Sequence, residues 1–379
     1  MIKYYFTFLL LIVAVLCACQ HKEGTNRPGR GLNKLIKNEA VAKSVIKLET
    51  SNVVLLVNIK GGAFFDFHLK DLPINPINWR LKDTLGPPFI GHFLCFDRWG
   101  PPTPAEEAYG FHHHGEASSE VWELLDEPAA ENGSIKCSMM CTLPKGGMQL
   151  IRKIELSESE PVFFVKEEIK NLNKYGRMFN IVQHVSIAPP FLDTTTLFDN
   201  NTIKGFEGKE DGSLNQEEVV LKWSEAMHEG EKVSFRQFKN KWPRVSTFLY
   251  DQNEKYGWVT ACNAKENVML GYVWETADYP WINIWRAMEN SVPVAYGMEF
   301  GTTGLHETFP VIAEKGKIFN QNIYDFIDAD EVITKSFTAF LAKIPEDYKG
   351  VETIIIENSV LVIKEKNSVS RDIVYQYKW

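Results

Sequence analysis

Residues 134–172 read SIKCSMMCTLPKGGMQLIRKIELSESEPVFFVKEEIKNL, and within them three short runs stand out: KCSMMCTL, LIRKIEL and VFFVKEEIKNL. Each is apolar or alternates apolar with polar residues, and each is bounded by Pro, Gly, Ser or Asn. A side-chain period of two with turn residues at both ends is the mark of a β-strand, not of a helix. Working outward, the same pattern recurs in NVVLLVNI (52–59), STFLYD (246–251), GWVTACNA (257–264), VMLGYVW (268–274) and AYGMEFG (295–301). Strands of five to eight residues are expected throughout, enriched in β-branched and aromatic side chains. Extended helical periodicity is nearly absent, and no strand–helix alternation points to a doubly wound sheet. The fold class read from this pattern is all-β, one large antiparallel β-sandwich spanning residues 44–379.

Local details fit that reading. Gly61-Gly62 marks a tight turn, after which Phe65 and Phe67 alternate with Asp66 and His68. The proline-rich LGPPFIG (85–91) and WGPPTP (99–104) are expected as surface loops. VETIIIENSVLVIKEKN (351–367) is expected as a terminal hairpin with Glu-Asn at its turn. No internal repeat or low-complexity block is present.

The chain has 379 residues, 44% of them hydrophobic and 24% charged, an ordinary balance for a globular protein. Ten Trp and 24 Phe supply core, and Trp and Tyr faces also stack sugar rings. The net charge of −8 and the lack of a basic stripe exclude nucleic acid as a partner. At the N-terminus, Lys3 precedes YYFTFLLLIVAVL, a run too short for a membrane span and suited to a secretory signal. Leu16-Cys17-Ala18-Cys19 resembles a bacterial lipobox. That resemblance implies a signal peptide over 1–18, lipidation of Cys19 and a lipid anchor to the membrane. Gln20, where an Asp would favour inner-membrane retention, points to the periplasm or outer membrane. Residues 19–43 are polar with Gly and Pro breaks and read as a flexible tether. Cys95, Cys137, Cys141 and Cys262 match no zinc spacing, and an exported compartment leaves any disulfide pairing among them open.

Three stretches combine ionisable groups with loop-forming neighbours: FIGHFLCFDRWG running on to GFHHHGEASSEVW, NIVQHVSIAPPFLD, and AYGMEFGTTGLHETFP. Their order is similar to that of the galactose mutarotase-like superfamily, which includes aldose 1-epimerases and hexose-phosphate epimerases. The similarity runs over roughly residues 45–345 and rests on order and spacing. It implies that His184, in QHVSIAPPF, is the general acid and Glu299, in GMEFGT with Pro310 beyond, the general base. His114-Gly115 with Trp122 matches the family's HG…W element, in which the histidine holds the sugar. Arg98 matches the substrate-binding arginine, and Asp278 is the nearest candidate for the family's loop aspartate. Trp281 and Trp285 nearby are candidates for a stacking wall. Phosphosugar epimerases carry an arginine just after HG. This chain has Ala117-Ser118 there, which favours a neutral sugar or glycan.

The implied chemistry is interconversion of sugar anomers. A base takes the anomeric hydroxyl proton while an acid protonates the ring oxygen, the ring opens, and reclosure reverses the roles. No metal or organic cofactor is needed. The alternative on the same fold is a non-catalytic carbohydrate-binding lipoprotein. Hydrolysis would need two carboxylates about one bond, with Glu116 and Glu120 available beside Glu299. A metal site at His112–His114 is disfavoured, because consecutive strand residues alternate faces. On that reading His112 and His114 line one cleft, His113 faces elsewhere, and two ligands are too few.

Overall fold

The computed structural model describes residues 44–80, 90–207, 221–228, 231–238, 245–368 and 370–376. The expected signal segment, the tether and Cys19 lie outside the described residues, as does most of LGPPFIG. The chain opens with β1 (Val45–Glu49), β2 (Val53–Asn58), β3 (Phe64–Leu69) and β4 (His92–Asp97). Then come β5 (Glu123–Glu131), β6 (Ser134–Leu143), β7 (Met148–Ser157), β8 (Val162–Asn171) and β9 (Arg177–Ile187). Short strands β10 (Leu197–Asn200) and β11 (Thr202–Glu207) precede a ribbon of β12 (Glu225–His228) and β13 (Glu231–Ser234). Next are β14 (Ser246–Tyr250), β15 (Tyr256–Asn263), β16 (Val268–Glu275), β17 (Trp281–Glu289) and β18 (Val292–Gly301). A small ribbon of β19 (Lys317–Ile318) and β20 (Gln321–Asn322) leads to β21 (Asp325–Ile327) and β22 (Val332–Lys343). The chain ends with β23 (Val351–Glu357), β24 (Val360–Glu365) and β25 (Ile373–Gln376).

Two antiparallel sheets face each other. One has ten strands, ordered β1-β2-β3-β4-β9-β18-β17-β14-β11 with β21 added on β9, and the other eight, ordered β10-β15-β16-β22-β8-β7-β6-β5. The architecture is the expected all-β sandwich. The three runs of residues 134–172 become β6, β7 and β8, ten residues each and longer than expected. Tight connections between them let pairing continue almost to each turn.

Alternation explains the core. On β7 the inward positions are Met148, Leu150, Arg152, Ile154 and Leu156, and on β8 they are Phe163, Val165, Glu167, Ile169 and Asn171. Phe163 packs on Phe64 and Phe67 from the facing sheet at 5.2 and 4.8 Å. Burying each such ring contributes roughly 1.5–3 kcal/mol. The one charged group at an inward position of β7 lies directly opposite the one on β8, since Arg152 pairs with Glu167 in register. Trp122 of the HG…W element is buried here too, its ring under the Arg152 guanidinium and its indole N–H on the Ala117 carbonyl. Its role is structural.

The C-terminal hairpin exists with a third strand added. Asn358 and Ser359 occupy its turn at φ 49° and 63°, one residue beyond the expected Glu-Asn. This geometry suits a two-residue hairpin loop. The three strands cover the outer face of the eight-stranded sheet, where Ile354, Leu361 and Ile363 pack on Trp258, Met269 and Phe340. Cys95, Cys137, Cys141 and Cys262 are all buried free thiols.

Candidate functional site

β9 is buried on both faces, and its alternation sets the site. Ile181, Gln183 and Val185 point into the sandwich, while Val182, His184 and Ser186 point to the opposite face of the ten-stranded sheet. The antiparallel register of β9 with β18 pairs Gly297 with Ser186 and Phe300 with Gln183. That register sets Glu299 opposite His184, on the same outer face. Phe93 of β4 flanks His184 on one side, and Asn283 of β17 flanks Glu299 on the other. Four neighbouring strands therefore lay Phe93, His184, Glu299 and Asn283 in one row.

The two ionisable groups meet. His184 Nε2 lies 3.1 Å from Glu299 Oε1, and both residues are buried. Each is held from behind. The Trp99 indole N–H donates to Glu299 Oε2 at 3.0 Å, and His184 Nδ1 lies 3.0 Å from the Ser186 hydroxyl. The His184 ring stacks on Phe93 at 4.2 Å. Gly297 makes room for the carboxylate, because a Cβ there would come within 2.6 Å of Glu299 Oε1.

Above this row opens a cavity of about 760 Å³, of the size small-molecule sites have. Trp79, Phe93, Trp99 and Trp285 wall it with aromatic surface, and Lys60, Ser118 and Ser119 add polar groups. Burial raises the Glu299 carboxyl to about 8, opposed only by the Trp99 hydrogen bond. Burial likewise holds His184 well below the ordinary histidine range, and the His114 ring adds to this. Near neutral pH the pair carries one proton between two weakly solvated groups. Passing it from Glu299 to His184 produces a carboxylate base beside an imidazolium acid.

His113, His114 and His306 line the same cavity. The histidine run is not on a strand. The helix Pro104–Tyr109 ends at Gly110, and the Gly115 N–H then closes a turn on the His112 carbonyl. His113 and His114 are the two central residues of that turn, with His114 at φ 67°. Gly115 follows because its backbone meets β4, where a Cβ would come within 2.1 Å of the Phe96 carbonyl oxygen. The strand parity expected to turn His113 away does not apply. His113 and His114 face the cavity, and His112 lines a neighbouring surface depression with Pro101, Pro102 and Phe111, which His113 also borders. His306 was missed in sequence, although it lies in the glycine-rich loop just after Glu299. His113, His114 and His306 are also a group able to hold a metal ion.

No family model and no curated protein matches the chain. Its backbone does resemble solved structures. A galactose mutarotase-like protein from Clostridium acetobutylicum superposes with a TM-score of 0.58 at 11% identity, over 79% of this chain and 95% of that one. A galactose mutarotase related enzyme from Lactobacillus acidophilus gives 0.58 at 11% identity, over 79% and 98%. A galactose mutarotase-like protein from Lactobacillus casei gives 0.56 at 12% identity, over 79% and 100%. The fold is galactose mutarotase-like.

On this galactose mutarotase-like sandwich, four residues expected at the sugar do not line this cavity. His112 is displaced by the turn just described. Arg98 is buried beneath the helix Pro104–Tyr109, paired with Asp97 at 3.3 Å and Glu106 at 2.9 Å and packed on Phe111. Asp278 reaches away from the cavity, its carboxylate accepting the Ser336 N–H and its carbonyl the Lys335 ammonium. Trp281 shares a face of β17 with Trp285, but the segment after β18 covers it. Its indole N–H bonds the Asn322 carbonyl, and its ring packs with Leu305, Ile312 and Ile318. Trp285, four residues along, lines the cavity. Glu116 is buried against Lys145 and the Gly146 N–H.

Proposed function

We propose that this protein is an aldose 1-epimerase-like isomerase acting on a neutral sugar. The observation that carries the reading is the His184–Glu299 pair, 3.1 Å apart at the floor of a tryptophan-walled cavity. In the reaction, Glu299 takes the proton of the anomeric hydroxyl while His184 delivers one to the ring oxygen. The C1–O bond of the ring breaks and C1 becomes an aldehyde. Rotation about C1–C2 presents the other face, and the protons return as the ring recloses. The pair ends with the single proton it began with. Trp99 and Ser186 hold the two groups in place, and His114 contacts a sugar hydroxyl. Among the described residues Glu299 is the only carboxylate lining the cavity, which favours isomerisation over two-carboxylate hydrolysis. Ser118, in the position where phosphosugar epimerases carry arginine, lines the cavity too and supports an uncharged substrate.

One observation favours a purely binding protein instead, namely that the two groups satisfy each other. Polarimetry separates the readings. Freshly dissolved α-glucose or α-galactose should lose its excess rotation faster with protein present. His184→Ala and Glu299→Gln should each lower that rate by about 10²–10⁴-fold while sugar binding stays measurable by calorimetry. The rate should fall below the ordinary histidine range as the pair gains a second proton, and again above about pH 8 as Glu299 loses its own. Binding without acceleration across a panel of neutral sugars would leave the carbohydrate-binding reading in its place.

The apolar N-terminal run and Leu16–Cys19 support export and lipid anchoring of the chain in the periplasm or outer membrane. Cys19→Ala should move the expressed protein from the membrane fraction to the soluble fraction. Retention of that variant in the membrane would remove the lipid anchor from the reading.

A further inference from the structure

The ligand nitrogens of His113, His114 and His306 all lie within 4.8 Å of one another at the wall of the cavity. Two come from the central residues of the turn at 112–115 and the third from the loop after β18, so chain segments far apart in sequence converge there. The His113 and His114 rings stack at 3.9 Å, and His113 Nε2 lies 2.8 Å from His306 Nε2.

Two features distinguish this group from a set of hydrogen-bonded surface histidines. His114 Nδ1 lies 2.8 Å from the Trp99 carbonyl oxygen, which can only accept. Nδ1 therefore carries the hydrogen, and Nε2 keeps its lone pair free, the arrangement that orients metal-bound imidazoles. The spacing also suits one ion. Tetrahedral zinc with bonds of 2.0–2.1 Å sets its ligand nitrogens roughly 3.3 Å apart, a change that side-chain torsions accommodate.

We infer that His113, His114 and His306 bind one divalent transition-metal ion of the zinc class, with its fourth position open to the cavity. Three histidines with one open position leave room for water or a sugar hydroxyl. His114 then reaches the sugar through the ion. The inference goes beyond the isomerase reading, whose proton transfers run through His184 and Glu299 alone.

The test uses untagged, chelator-treated protein titrated with Co²⁺ and separately with Zn²⁺. Calorimetry gives stoichiometry and affinity, and the visible absorption of bound Co²⁺ reports its geometry. One ion per chain and the intense visible bands of tetrahedral cobalt are expected. Losing an outer partner of a metal ligand typically costs about 10–100-fold in affinity, so His306→Ala should cost at least about 100-fold. His306→Gln, closer in size, should do the same, and circular dichroism checks that both variants fold. His112→Ala should bind as the wild type does. Weak binding without those bands, or equal affinity in wild type and both His306 variants, would overturn the site. Mutarotation measured on the chelator-treated protein keeps the two readings separate, since loss of metal binding leaves the His184–Glu299 assignment standing.

Discussion

Gln183 and His184 are consecutive residues of β9 that face opposite sides of one sheet, and each joins a buried polar cluster. On the inner side, Gln183 donates to Glu167 at 2.7 Å and lies 3.1 Å from both His92 Nε2 and the Tyr279 hydroxyl. Glu167 in turn holds Arg152 through contacts of 2.8 and 2.7 Å, and Arg152 also donates to the Gly62 carbonyl at 2.6 Å. The charges there are paired and fully enclosed between the sheets. On the outer side, His184 and Glu299 have one orienting partner each and open onto a cavity. The inner cluster ties the two sheets together, whereas the outer one leaves both of its groups at the cavity. Both clusters are buried, and satisfaction by partners is what differs.

The same chemical change on the two faces exposes that difference most strongly. Glu167→Gln leaves Arg152 buried without its counter-charge, and breaking such a pair costs about 3–5 kcal/mol. Glu299→Gln replaces a carboxyl that burial already keeps largely neutral and retains a group able to accept from Trp99. It should cost less than about 1 kcal/mol below pH 4.5, where the carboxyl is protonated in the folded and unfolded chains alike, and nothing at pH 7. Urea denaturation of the two variants measures the contrast. Equal losses would mean that the outer pair is as much a structural tie as the inner one.

The next effect is pH-dependent and smaller. Glu299 is raised from an ordinary 4.5 to about 8, so between those values the folded chain holds a proton that the unfolded chain has released. Stability from this group is complete below about pH 4.5 and is lost as pH rises toward 8. Glu299→Gln cannot ionise, so its stability relative to wild type should climb between pH 5 and pH 8, then level off. A difference on the order of a few kcal/mol is expected. Urea midpoints for both proteins across that range decide it, and parallel curves would mean that Glu299 is ionised in the fold.

Much of this arrangement was legible in sequence, and the misses share one cause. Alternation in residues 134–172 predicts the strands because one face of each is buried, and that rule survives any connectivity. That His184 and Glu299 come together was legible because both stand on strands, where order and parity carry to three dimensions. The turn at 112–115 escaped because parity reasoning assumes extended backbone, and Gly110 and Gly115 on either side are the signal that it is not extended. Arg98 was misplaced because nothing local reveals that Glu106 returns from a helix to pair with it. His306 came from a loop, where no period says which way a side chain points.

Trp281 and Trp285 give the finest form of the comparison, since both stand on the outer face of β17 and only one meets the cavity. Parity alone makes them equivalent, and the covering segment after β18 makes them different. Trp285 stands 5.5 Å from Trp79 in an edge-to-face contact, the ring planes at 71°, on the cavity wall. Trp285→Ala should remove one stacking face, worth about 0.5–1.5 kcal/mol, or roughly 2–12-fold in KM. The rate at saturation should change little, because a stacked wall holds ground state and transition state alike. Trp281→Phe removes the indole hydrogen bond to the Asn322 carbonyl and should lower the melting temperature while leaving KM unchanged. Initial-rate polarimetry over a range of sugar concentrations, with melting curves beside it, reads both variants. If KM rose for Trp281→Phe and not for Trp285→Ala, the sugar would have to sit under the covering segment, and the cavity above His184 would lose its substrate.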